Sequence, residues 1–156
     1  MAIFVTIPNI PGESRDIGHP DAIDVRAFQW GLTNAGSAGS KKAVPPSFLD
    51  LTIFKALDRS TAKLALACAT GERLSEVVLD ETASFTDGGR VTYLTVKLWN
   101  AVVTEATESS SEEERPEDVI RFDFPKIEMV YTLFDSKGKK KGTERFAWDL
   151  VKGETF

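Results

Sequence analysis

The chain has 156 residues, with 42% hydrophobic and 28% charged side chains, the size and balance of one globular domain burying roughly two-thirds of its unfolded surface. Its net charge of −5 disfavours duplex nucleic acid and anionic membranes as partners, since both attract excess positive charge. One cysteine and one histidine allow no intrachain disulfide and no cysteine-rich zinc site, so a soluble chain from a reducing compartment is expected, without metal or cofactor.

Met1 to Pro8 lacks a basic leader and a long apolar run, so no cleaved signal peptide is expected, and Ile3–Ile7 reads as a strand. No stretch approaches the ~20 apolar residues of a membrane-spanning helix. His19 lies in the turn-like Gly18-His19-Pro20. No motif supplies it with a nucleophile, so it reads as a surface or turn-capping residue.

From Ile23 to Leu32 the residues alternate. Phe28, Trp30 and Leu32 are bulky, whereas Val25, Ala27, Gln29 and Gly31 are small or weakly polar. Successive strand residues face opposite ways, so a single strand with one core face and one smooth face is expected. Residues 33 to 46 then run through glycine, serine and alanine to Lys41-Lys42 and Pro45-Pro46. A connection this long is functional or disordered. Its Gly36-Ser37-Ala38-Gly39-Ser40-Lys41-Lys42 stretch lacks phosphate-loop spacing and a following helix.

Residues 49 to 57 read as another strand. Asp58-Arg59-Ser60-Thr61 then offers Ser60 as an N-cap, Ala62 to Ala69 is rich in strong helix formers, and Gly71 tolerates the left-handed stop. Leu64 and Cys68, four residues apart, share one face, where Cys68 reads as a small core hydrophobe. Residues 74–79 and 92–99 are strand-like, with Asp87-Gly88-Gly89 as a turn between them. Residues 105 to 118 hold seven acidic side chains and one arginine, net −6, which leaves the rest of the chain at +1. They read as a solvated acidic loop without calcium-loop spacing.

Residues 119 to 134 change phase in mid-run: Ile120, Phe122 and Phe124 are even, and Ile127, Met129, Tyr131 and Leu133 are odd. The switch at Pro125 predicts one long strand bent at a bulge. Asp135-Ser136-Lys137-Gly138 predicts a turn into a last strand near residues 143–151. Lys137, Lys139, Lys140 and Lys141 keep that hairpin soluble, and Trp30, Trp99 and Trp148 read as packing residues. The residues thus describe a mainly β chain, an antiparallel sandwich or barrel, with one short helix laid on a sheet or over a barrel mouth.

The ordered set of these elements resembles the haemolysin-coregulated protein (Hcp) family. The residues carrying the likeness are Ile23-Asp24-Val25 running to Trp30-Gly31, the Gly/Ser loop, Asp58-Arg59-Ser60-Thr61, Ala67-Cys68-Ala69-Thr70-Gly71, Val119 to Ile127 with Tyr131, and Trp148-Asp149-Leu150. Ala147 where glycine is common, Leu74 where an aromatic is frequent, and the acidic segment are departures from the pattern. The resemblance implies a single Hcp-like domain over residues 1–156, an antiparallel β-barrel of two curved sheets with one short helix at its side, related to phage tail tubes. It implies hexameric rings stacked into the inner tube of the type VI secretion system. Such a tube is ejected by a contractile sheath behind a spike protein, and its lumen carries effector proteins.

The resemblance also implies assembly in the bacterial cytoplasm followed by secretion without a cleaved signal. No catalysis is implied unless a toxin domain follows, and with the chain ending at Phe156 none is expected. The loop Thr33-Asn34-Ala35-Gly36-Ser37-Ala38-Gly39-Ser40-Lys41-Lys42 is then expected to contact a neighbouring subunit or ring, with the acidic segment as its candidate opposite. Val25, Ala27 and Gln29 are expected to face the lumen. The tail tube of a phage-like particle, or a monomeric ligand-binding β-barrel, remain alternatives.

Overall fold

Alternating hydrophobicity produces a mainly β fold in the computed structural model, which describes residues 1–39, 42–85 and 89–156. The strands are β1 (Ala2–Thr6), β2 (Ile23–Val25), β3 (Ala27–Gln29), β4 (Leu32–Thr33), β5 (Ser47–Phe48) and β6 (Leu51–Lys55). After the helix α1 (Thr61–Thr70) come β7 (Arg73–Phe85), β8 (Gly89–Ser109), β9 (Glu117–Asp123), β10 (Lys126–Phe134) and β11 (Lys140–Asp149). Among the described residues, nine strands form one sheet with the path β2-β1-β7-β8-β9-β6-β3, and β10 joins it between β8 and β11. β4 and β5 make a separate two-stranded sheet. All these pairings are antiparallel.

Register explains the core. Ile23, Val5, Leu79, Val96, Met129 and Phe146 are successive cross-strand neighbours, one apolar row running over six strands. Val77, Leu98, Ile127 and Trp148 make the next row, and Leu51, Phe122 and Val103 another. Side chains opposite one another on one face lie within contact distance, so the rows merge into one cluster with Leu64 and Ala67 of α1.

The expected single strand over residues 23–32 is corrected. Arg26 interrupts it, donating its backbone N–H to the Phe54 carbonyl at 2.8 Å. The phase reverses there: Ile23 and Val25 are buried before it, while Phe28 and Trp30 pack on the core after it. β2 is one end of the sheet path and β3 the other, so one residue joins the two ends of a strongly curled sheet. Among the described residues the ladder does not close all round, so the curled sheet stays open where a closed barrel was expected.

The long strand over residues 119–134 is divided by Phe124 and Pro125 into β9 and β10, which continue along the same side of β8. Proline lacks the N–H that the ladder would need. The acidic loop is shorter than expected, because β8 extends to Ser109 and β9 starts at Glu117. The Asp87-Gly88 part of the predicted turn lies outside the described residues.

Helix α1 stops as expected: Gly71 has φ 69° and its N–H donates to Ala67 O at 3.0 Å. Its start differs. Ser60 makes no side-chain cap, and instead Asp58 Oδ1 accepts the Ser60 N–H at 2.8 Å and also the Ser60 hydroxyl. The same carboxylate oxygen accepts from Lys55 Nζ at 3.0 Å. Lys55 is fully buried and reaches Asp118 Oδ2 at 2.7 Å, while the Thr61 hydroxyl donates to that oxygen at 2.7 Å. One buried cation therefore joins β6, β9 and the first turn of α1.

Candidate assembly surfaces

The loop after β4 has a built stem. Leu32 and Thr33 pair with Phe48 and Ser47, and Asn34 ties the two limbs together. Its Nδ2 donates to Val44 O at 3.0 Å, and its Oδ1 accepts the Gly36 N–H at 2.7 Å. Ser37 Oγ accepts the Gly39 N–H at 3.3 Å, an ST-type local turn. Residues 33–39 and Lys42 are exposed, and Ser40 and Lys41 lie outside the described residues. The returning limb, Ala43 to Pro46, borders a depression of about 260 Å³ with Trp148 and Gly153. The loop is thus anchored beside the end of β11.

The smooth face of the 23–32 segment is only partly as expected. Val25 is 8% exposed and belongs to the core cluster, which corrects its placement in a lumen-facing set. The phase reversal at Arg26 is the reason. Ala27 and Gln29 are exposed and stand opposite Phe54 and Thr52. Gln29, Leu49, Asp50, Thr52, Phe54 and Arg121 surround a shallow depression of about 180 Å³.

Free strand edges form a third surface. Among the described residues β11 pairs only with β10, β2 only with β1 and β3 only with β6. An unpaired edge offers a row of N–H and C=O groups to another strand, and the ten-residue β11 is the longest of these. Its partner β10 changes character along its length. Ile127 is fully buried, but Tyr131 and Leu133 on the same face are 47% and 41% exposed. The hairpin therefore carries apolar surface out past the core. Its turn is held by Asp135, whose Oδ1 accepts the N–H groups of Lys137 and Lys139 at 2.8 and 2.9 Å. Those bonds, that from Lys139 foremost, keep the Asp135 carboxyl below its ordinary value.

On the opposite face of the sheet, polar and charged pairs replace the apolar rows. Lys97 meets Glu76 at 3.2 Å, and Arg145 meets Glu128 at 2.6 Å. Trp99 packs edge-on against Phe156, with Lys97 and Lys126 over its ring. Burial, together with Glu81, pushes the Tyr93 hydroxyl up to about 12. Among the described residues no group of three or more His, Cys, Asp or Glu side chains could hold a metal ion. The arrangement offers edges, a tethered loop and an apolar arm, the parts from which copies of one chain build a heterologous contact.

A family model described as the type VI secretion system effector Hcp matches residues 4–131. The chain belongs to the Hcp family. Protein hcp1 of Pseudomonas aeruginosa is 28% identical over 155 residues, covering 95% of this chain and 94% of its own length. A solved type six secretion system protein superposes with a TM-score of 0.89 over 99% of both chains at 22% identity. A type VI secretion system effector from Yersinia pestis superposes at 0.80, with 25% identity over 94% of this chain and 98% of its own. The Hcp fold thus spans nearly the whole chain, including the tethered loop and the β10–β11 arm. Among the described residues no helix is long and apolar enough to cross a membrane.

Two features of this Hcp chain were hidden in its sequence. The open edge of β11 follows from pairing order, which local alternation does not encode. Lys55 had a readable signal: it shares a strand face with Leu51 and Ile53, a lysine on an otherwise apolar side.

Proposed function

We propose that this chain is a structural subunit of the type VI secretion tube, assembling into hexameric rings that stack head to tail. The rings form the inner tube pushed by a contractile sheath behind a spike, and their lumen carries effector proteins. The chain performs this role by shape, without catalysis. It assembles in the bacterial cytoplasm and leaves with the tube.

The observation that carries this reading is the family match over residues 4–131. The exposed strand edges of the curled sheet and the tethered loop beside it support the reading. A ring of identical subunits needs two different complementary surfaces on each copy. In this reading the loop from Thr33 to Lys42 contacts the neighbouring subunit or the next ring, with the acidic 105–118 segment as its electrostatic counterpart. The related tail tube of a phage-like particle would share the same surfaces, and the two are distinguished by the sheath that surrounds the tube.

Negative-stain imaging of the purified protein tests the reading. Sixfold rings and end-on stacks are expected for the intact chain, and rings without stacks after deletion of Gly36–Ser40. Undiminished stacking in the deletion variant would remove the loop from the contact. The lumen is tested separately with Ala27→Cys and Gln29→Cys. A thiol-reactive dye is expected to label both in empty rings and to be shielded by bound effector; equal labelling in the two states argues that this face lies outside the lumen.

A further inference from the structure

His19 is held between two carboxylates. Its Nδ1 lies 3.0 Å from Asp16 Oδ2 and its Nε2 lies 3.0 Å from Asp80 Oδ2. The ring stacks on Phe4, with centroids 4.4 Å apart and planes 9° from parallel, and only 13% of the side chain is exposed. A neutral imidazole has one N–H and one lone pair. Between two ionised carboxylates, which only accept, the lone pair would face an oxygen at hydrogen-bond distance. Only the imidazolium donates to both.

We propose that Asp16, His19 and Asp80 form a protonation-dependent clamp that fastens the 12–22 segment onto β1 and β7 within a limited pH window. The charged groups around the ring come from four elements. Asp16 lies in the segment itself and also binds Arg90 of β8 through Oδ1 at 2.9 Å. Arg90 stands 5.8 Å from the Phe4 ring centre. Asp80 of β7 is held in place by the Thr95 hydroxyl, which donates to its Oδ1 at 2.7 Å. Asp24 of β2 is paired in register with Phe4, as is Asp80. Burial pushes the Asp24 carboxyl up, assisted by Asp58, Asp16 and Glu13.

Each limit of the window has its own sign. The hydrogen bond from His19 holds the Asp16 carboxyl below its ordinary value, against desolvation and with help from Arg90. A depressed carboxylate contributes stability above its unfolded value and loses that contribution as pH falls through the folded one. At the other limit, rising pH removes one ring proton, and one carboxylate is left facing a lone pair. The segment then keeps its internal backbone bonds, Gly12 N–H to Asp21 O, Ser14 N–H to Ala22 O and Asp21 N–H to Ser14 O, and is tied to the rest of the chain by Asp16 to Arg90 and by Arg59 Nε to Gly12 O. It leads directly into β2 and displays the fully exposed Ile17, so its release would alter a free edge of the sheet.

The test combines nitrogen NMR of the His19 ring with hydrogen exchange at Gly12, Ser14 and Asp21, referenced to core amides such as Val96. With Asp16 and Asp80 both ionised, the two 3.0 Å contacts call for a proton on each ring nitrogen. Raising the pH from about 6 to about 9 should lower protection of the three segment amides about tenfold relative to the core. Asp80→Asn, whose amide can donate to a ring lone pair, should flatten that dependence. A ring with a single N–H while both carboxylates are ionised, or wild-type segment amides whose protection follows the core throughout, would overturn the clamp. Both wild-type readouts stand even if the variant fails to fold.

Discussion

Lys55→Met is expected to destabilise the folded chain by about 3–5 kcal/mol, because it leaves Asp118 buried without its cation. Lys55 is fully buried and Asp118 is 1% exposed. The ammonium donates to Asp118, Asp58 and Ala56 O at 2.7, 3.0 and 3.1 Å and lies 3.3 Å from Thr61 Oγ1. Asp118 Oδ1 is buried without a hydrogen-bond partner among the described residues, so once the lysine is gone the buried carboxylate keeps only the neutral Thr61 hydroxyl on Oδ2 and no opposite charge. Truncating Lys55 also removes the link between β6, β9 and the first turn of α1. The double variant Lys55→Met with Asp118→Leu should recover most of the loss, since an apolar pair of similar volume avoids burying charge. Denaturant unfolding measures both. A single variant within about 1 kcal/mol of wild type, or a double variant no better than the single, would show that the pair does not anchor the fold.

Gly12→Ala is the second large effect, about 3 kcal/mol of destabilisation. A Cβ at this position would lie 2.4 Å from Ala22 O, 2.5 Å from Ile23 Cα and 2.8 Å from Ala22 C, all backbone atoms. Backbone cannot rotate aside as a side chain can, so the 12–22 segment must move away from β2. That motion would also strain the Arg59 Nε bond to Gly12 O at 2.6 Å and the Gly12 N–H bond to Asp21 O. Thermal unfolding at neutral pH should show a clear fall in midpoint; an unchanged midpoint would mean that the close approach relaxes at little cost.

The sequence reveals periodicity well and partners poorly. The alternation in Val119 to Leu133 and the proline within it are enough to predict strand on both sides of a break at Pro125, because a period of two and a missing N–H are local properties. The helix stop at Gly71 is legible for the same reason. The start at Ser60 is legible too, but not its chemistry, since the Ser60 hydroxyl donates to Asp58, which Lys55 holds from the adjoining strand, instead of capping the helix. Ile23 to Leu32 misleads because Arg26 bends the chain between opposite ends of the sheet. That reversal turns Val25 into a core residue while leaving Ala27 and Gln29 exposed. Asp118 reads as one acid among seven, yet its register partner Lys55 draws it inside. His19 reads as a turn residue because Asp80, its second carboxylate, is 61 positions away. The surfaces proposed for assembly lie partly in view, as a Gly/Ser loop ending in lysines, and partly out of view, as the free edge of β11.

The most direct test is the native mass of the purified protein, followed from dilute to concentrated solution. An assembly of six copies of the 17.2 kDa subunit is the predicted species, with multiples of that ring appearing as concentration rises. A lone 17.2 kDa particle at every concentration would contradict the account, because a curled sheet that never meets a second copy cannot build a tube.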